Sequence, residues 1–294
     1  MVHQYYMWVA LSLLAAVLTA TRDPIYKKLL VADVNPYILG SAQFVIAGIL
    51  LAAIVLLTGV PDIGSGFVIA VIGTVLLNTV AVGLHFKAIK LGDISIVSPL
   101  LSFTPIFAIA TSFVMLGELP TALGLSGLIL VVIGSYILHW NSFGESIVSI
   151  YRRLRAHKAA LYILAVAAIF SVSANFDKMA SVAATPIFAS MIIDLALGIA
   201  LLTLAPLHHK KSSKRAFSRD VLPWFLLIGV LFAVGTWAQN TAFTLTIVPY
   251  ASAAIRSSVV ISVIYGAYIL NEGHIKWRFC GAVVMLLGIA LLAF

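Results

Sequence analysis

Apolar runs of roughly 20 residues recur from one end of the chain to the other, separated by short polar or turn-forming breaks. They predict ten transmembrane helices, at 6–29, 36–58, 67–89, 94–116, 120–139, 158–181, 186–206, 220–243, 249–270 and 275–293. Asn35-Pro36, Gly59-Val60-Pro61-Asp62, Gly92-Asp93, Leu119-Pro120, Thr185-Pro186 and Val248-Pro249 each end or begin a span. Strands of a membrane barrel would alternate apolar and polar residues, and these runs do not. The expected fold class is an all-α membrane protein. The first apolar segment is followed by no small-residue cleavage site, so it reads as a permanent helix rather than a signal peptide.

The pattern repeats. An offset of 150 superposes Tyr26 on Phe176, Lys28 on Lys178, Pro36 on Pro186 and Gly48 on Gly198. An offset of 154 superposes Ala88 on Ala242, Leu91 on Leu245, Glu118 on Glu272, Gly127 on Gly281 and Gly134 on Gly288. The four extra residues belong to the longer polar stretch around 207–219. The chain thus divides into a five-helix repeat over 1–140, a basic connecting loop over 141–157 and a second five-helix repeat over 158–294. Five is odd, so the second copy enters the membrane upside down. Such inverted repeats are a common build of secondary transporters.

Composition supports lipid as the solvent. Hydrophobic residues make up 62% of the chain and charged ones 10%, against roughly 25% charged in soluble domains. The net charge of +8 resides in the loops, where membrane topology and anionic headgroups account for it, so nucleic acid is not an expected partner. The single cysteine, Cys280, excludes an internal disulfide and a cysteine-based zinc cluster. No cofactor is expected. The expected partners are the bilayer and a small-molecule substrate, with the chain working as a monomer.

The stretch from Ala88 to Gly134 contains Thr104-Pro105, Leu116-Gly117-Glu118-Leu119, Gly127 and Gly134. It resembles the EamA-type domain, as does its copy ending in Asn271-Glu272, Gly281 and Gly288. Two such domains in tandem are similar to the drug/metabolite transporter superfamily over essentially the whole chain. The resemblance implies a multi-pass transporter in the cell membrane. It does not name a cargo, because that family moves amino acids, sugars, amines, drugs and nucleotide sugars. Members often carry Trp-Gly in the first helix and Arg in the second; here Thr19-Ala20-Thr21 and Ser41-Ala42-Gln43-Phe44 stand in those places.

Of the 18 Lys and Arg, 16 fall in or beside the loops after odd-numbered spans, with Lys178 on the opposite side and Arg256 within a span. The positive-inside rule then puts both termini outside. The family resemblance implies the reverse.

Ionisable side chains within a span are costly and usually face the interior. Arg22, Asp23, His85, Asp194 and Arg256 fit that description, and each superposes on a residue of different character in the other half: Val172, Ser173, Gln239, Phe44 and Ser102. A charge kept in one half only serves an asymmetric ligand better than a symmetric scaffold. Asp194 and Arg256 lie at similar depth, about 11–12 Å in, so that they could pair as a staple between helices or serve a substrate headgroup or proton coupling. Asn175, Trp237, Gln239, Asn240 and Tyr265 complete the candidate substrate-binding set, with Trp237, Gln239 and Asn240 expected to form a flat wall with directional donors and acceptors. Trp8, Trp140, Trp224 and Trp277 read as interfacial belt residues. Glu118 and Glu272 read as caps for the fifth and tenth spans.

These features point to a secondary transporter of a small organic metabolite (an amino acid, amine or similar amphiphile), working by alternating access with proton coupling or exchange. A lipid-linked carrier or flippase is the alternative. The chain has no His-Glu-x-x-His, Gly-x-Ser-x-Gly or glycine-rich phosphate loop, so an enzyme is not expected.

Overall fold

The computed structural model describes residues 2–32, 34–91, 100–138, 158–208, 221–261 and 275–293. The described residues form ten helices and no strand: α1 Val2–Val31, α2 Pro36–Thr58, α3 Phe67–Leu91, α4 Thr104–Leu116, α5 Ala122–Leu138, α6 Lys158–Ala183, α7 Pro186–His208, α8 Leu222–Leu245, α9 Val248–Ile255 and α10 Ile275–Leu292. Six of them (α1, α2, α3, α6, α7 and α8) are long and apolar enough to cross a membrane. The outer surface is apolar too: Leu56, Leu57 and Val114 are 83%, 87% and 82% exposed. Water would penalise such a surface and lipid would not.

Local chemistry sets the helix ends. Asn35 accepts the Tyr37 N–H at 2.8 Å, and Pro36 opens α2 where its missing N–H costs nothing. Gly117, at φ +70°, closes α4 in the left-handed conformation, with the Glu118 N–H reaching back to the Ser112 carbonyl at 3.3 Å. Pro24 lies inside α1, yet the helix continues past it.

Equivalent helices of the two halves pack on each other, α2 with α7 and α5 with α10. Some of the remaining contacts are exchanged between the halves. α1 packs on α8 as α6 packs on α3, and α1 meets α9 as α6 meets α4. The exchange is incomplete, because α7 also packs on α6 and α8, and α6 on α8, without counterparts of that size among α1, α2 and α3.

The partners run antiparallel. Along α2 and α7, Asn35 bonds to Ala205, Ser41 to Gly198, and Gly48 lies on Leu195. Along α5 and α10, Gly127 meets Gly288 and Gly134 meets Gly281. A Cβ on any one of these four would sit 2.7 Å from the opposing carbonyl oxygen. Along α3 and α6, Gly73 packs on Phe176 and Asn78 bonds to Ser173. Along α1 and α8, Leu18 lies by Gly235, Arg22 by Phe232 and Lys28 by Trp224. With no hydrophobic force between helices in lipid, close approach at small residues supplies the packing energy.

Two interruptions matter for function. The chain turns at Ser102–Phe103 before α4 and at Arg256–Ser257 after α9. Residues 102 and 256 are the superposed pair of the 154-residue offset, so the helices break at corresponding positions. Around the second break the bonds tighten to three-residue spacing, Ser257 N–H to Ala254 at 3.1 Å and Val260 N–H to Ser257 at 2.9 Å.

Candidate functional site

Arg22 projects from α1 into a setting built with two other helices. Its Nη1 donates to Gln43 Oε1 on α2 at 3.3 Å and its Nη2 to Thr19 Oγ1 at 3.0 Å. Its guanidinium carbon lies 4.7 Å from the centroid of the Phe232 ring on α8, a cation–π arrangement. Phe44 braces that ring edge-on, with centroids 4.7 Å apart. The Tyr26 hydroxyl donates to the same Gln43 oxygen. Nε of Arg22 is buried and has no partner among the described residues.

Asp194 on α7 is 2% exposed, and its Oδ2 also lacks a hydrogen-bond partner among the described residues. It interacts electrostatically with Arg22 and with a second buried acid, Asp177 on α6. Asp177 accepts from Thr74 Oγ1 at 2.5 Å. Thr74 and Ser173 share a hydrogen bond at 2.6 Å, and Asn78 Nδ2 donates to Ser173 at 2.8 Å. Arg22 and Asp177 thus lie within electrostatic reach of Asp194, with a hydroxyl network from Asp177 reaching α3.

A second cation stands at the paired breaks. Arg256 Nη2 donates to Thr104 Oγ1 at 3.0 Å, joining the α9 break to the start of α4. His85 on α3 is close enough to feel its charge, and the buried His85 Nδ1 has no partner among the described residues. Behind Thr104, Ser102 and Ser135 share a hydrogen bond at 2.7 Å.

Residues 6–140 and again 157–294 match the profile of the EamA-like transporter family. The chain belongs to the EamA-like transporter family. A solved structure described as "Crystal structure of protein" is similar in fold, with a TM-score of 0.75 at 14% identity, covering 99% of this chain and 97% of that one. No curated protein matches. The EamA-like family consists of membrane transporters of small solutes, so this chain is an integral membrane protein of that kind and its relatives are not enzymes.

Within this EamA-like chain several sequence expectations need correction. Asp194 and Arg256 do not pair; Asp194 sits with Arg22 and Asp177, and Arg256 bonds to Thr104. Equal depth on two helices did not mean adjacency around the bundle. Trp237, Gln239 and Asn240 form no common wall either. Trp237 and Gln239 are two residues apart, about 200° around a helix. Trp237, 37% exposed, continues the exposed stripe of Leu227, Val230 and Val234, whereas Asn240 is buried and donates to Ser190 at 2.8 Å. Gln239 is half-buried.

Asn175 is spent on structure. It donates to Thr111 Oγ1 at 3.0 Å and to the Ser171 carbonyl at 2.8 Å, and accepts from Ser112 at 2.7 Å. Asp23 lies on an exposed side of α1. Tyr265, Trp140 and Glu272 lie outside the described residues. Trp8 is buried against Tyr250 rather than interfacial, with ring centroids 6.3 Å apart.

Glu118 does not cap α5. Its Oε2 accepts the Val248 N–H at the start of α9 at 3.2 Å, and its Oε1 pairs with Lys178 at 2.5 Å. The sequence reading passed over Asp177 altogether. The signal was present, since Asp177 is an acid inside a predicted span and superposes on Lys27 of the other half.

Proposed function

We propose that this chain is a secondary transporter with ten spans in two inverted five-helix repeats, carrying a small zwitterionic or amphiphilic metabolite such as an amino acid or amine. The observation that carries the reading is the antiparallel packing of equivalent helices together with chain breaks at corresponding positions, one before α4 and one after α9. Discontinuous helices at matching positions of two halves are where such transporters place their substrate. Rocking of the halves about α2·α7 and α5·α10 would expose the space between them to each side in turn.

The charges suggest the cargo. Arg256 beside His85 offers a site for a carboxylate or other anion, and Asp194 with Asp177 offers one for an amine or a proton. Arg22, flanked by Phe44 and Phe232, sits beside the acids and adds an aromatic wall. The positive-inside distribution supports termini outside and the connector between α1 and α2 inside.

A thermal-shift screen of the purified protein against amino acids, amines and sugars tests this reading. A zwitterion is expected to raise the melting temperature. Arg256→Ala and Asp194→Asn are expected to abolish that rise. A stabilising ligand indifferent to both substitutions would overturn the site assignment.

A further inference from the structure

One end of the bundle is held by contacts that join the two halves. Gly64 N–H donates to the Ala183 carbonyl at 2.6 Å, linking the connector before α3 to the end of α6. Thr121 N–H donates to the Tyr250 hydroxyl at 2.9 Å, linking the start of α5 to α9. Between these lies an ion pair. Lys178 Nζ on α6 meets Glu118 Oε1 in the α4–α5 turn at 2.5 Å and donates to the Thr246 carbonyl at 2.7 Å. Glu118 Oε2 takes the Val248 N–H. Two side chains therefore tie together the α4–α5 turn, α6 and the α8–α9 turn.

Both partners are mostly withdrawn from water, their side chains being 13% and 17% exposed. The sequence adds an independent observation. Among the charged residues superposed by the two repeat offsets, only Lys28/Lys178 and Glu118/Glu272 keep the same charge in both halves. The substrate candidates are asymmetric, whereas the members of this pair are kept twice. A cycle in which two inverted halves exchange roles needs the same device at both ends, and needs each to be made in one state and broken in the other.

We propose that the Lys178–Glu118 pair is the latch closing the end of the bundle at which α4–α5, α6–α7 and α8–α9 turn, and that it parts when that end opens. The inference rests on the alternating-access reading above. Lys28, the superposed counterpart of Lys178, stands at the opposite end of the bundle, with its Nζ 3.9 Å from the centroid of the Trp224 ring.

The test is a distance measurement in lipid nanodiscs. On a Cys280→Ala background, spin labels go on Leu119→Cys, in the α4–α5 turn, and Val182→Cys, at the end of α6; the two positions are 59% and 65% exposed. Double electron–electron resonance is expected to give one short-distance population for this parent. Glu118→Gln and Lys178→Met are each expected to add a population longer by about 5 Å or more, the scale of a one-turn displacement. Lys178→Arg, which retains the donors for both Glu118 and Thr246, is expected to restore the parent distribution.

Unchanged distances in both neutral variants, with an intact thermal transition, would overturn the proposal. So would failure of both neutral variants to fold, because a latch is open for part of the normal cycle and a structural cross-link is not. The distances are read without substrate. A protein that opens in this way yet moves no solute would contradict the transport reading and leave the latch standing.

Discussion

Gly281→Ala is a direct probe of the packing between the two halves. The added Cβ would lie 2.7 Å from the Gly134 carbonyl oxygen and 2.7 Å from Leu138 Cα. Both neighbours belong to the backbone of α5, so no side chain can turn aside. The nearest atom, Leu138 N, would stand at 2.4 Å and ordinary contact begins near 3.4 Å, so α10 must retreat by roughly 1 Å, a gap that forfeits about a quarter to a half of each dispersion contact along the seam. Overpacking of this kind costs about 1–3 kcal/mol, against which alanine returns about 1 kcal/mol of helix propensity. The net loss is up to about 2 kcal/mol, or a melting temperature lower by as much as several degrees. Gly235→Ala is the internal control. Its nearest neighbours, Leu18 Cβ and Cδ1, stand at 3.8 and 3.9 Å, so only the propensity gain remains and the melting temperature is expected to hold or rise. Thermal unfolding in detergent, followed by tryptophan emission, reads both variants. Equal or better stability of Gly281→Ala than of Gly235→Ala would refute the close approach of α5 and α10.

Asn175→Leu removes three hydrogen bonds joining α6 to α4 and within α6, and is expected to cost about 1–3 kcal/mol by leaving Ser112 and Thr111 short of partners; a thermal melt checks it. Trp237→Leu alters an exposed apolar position and is expected to leave ligand-induced stabilisation unchanged; loss of that response would return Trp237 to the binding site. Impermeant maleimide labelling of single cysteines is expected to reach Leu119→Cys and Val182→Cys from one face of the membrane and Val31→Cys from the other, a reporter fused after Phe294 reporting the outside. Labelling of Leu119→Cys and Val182→Cys from opposite faces would contradict the inverted arrangement.

The helices were legible in the sequence because lipid demands long apolar runs, and the breaks at Asn35-Pro36 and Gly117 were legible because their turn chemistry is local. The repeat, too, could be read from Gly127, Gly134, Gly281 and Gly288, which the fold then brings together in crossed pairs. The site was harder. Depth along a helix follows from counting, but which face meets which neighbour depends on rotation and packing, so Asp194 was matched with Arg256 instead of Arg22. Apolar residues surround a membrane helix on all sides, and the amphipathic contrast that would orient Trp237 in a soluble protein is missing. Glu118 looked like a local cap because its partner, Lys178, is remote in sequence. Symmetry was the better guide there, since both members of the pair recur at the repeat offset.

Uptake into proteoliposomes is the measurement closest to the central claim. A metabolite that stabilises the protein is expected to enter protein-containing vesicles saturably, and to enter vesicles carrying Arg256→Ala or Asp194→Asn at least about tenfold more slowly, the loss of roughly 1.4 kcal/mol of binding. Entry no faster than into protein-free vesicles would contradict it.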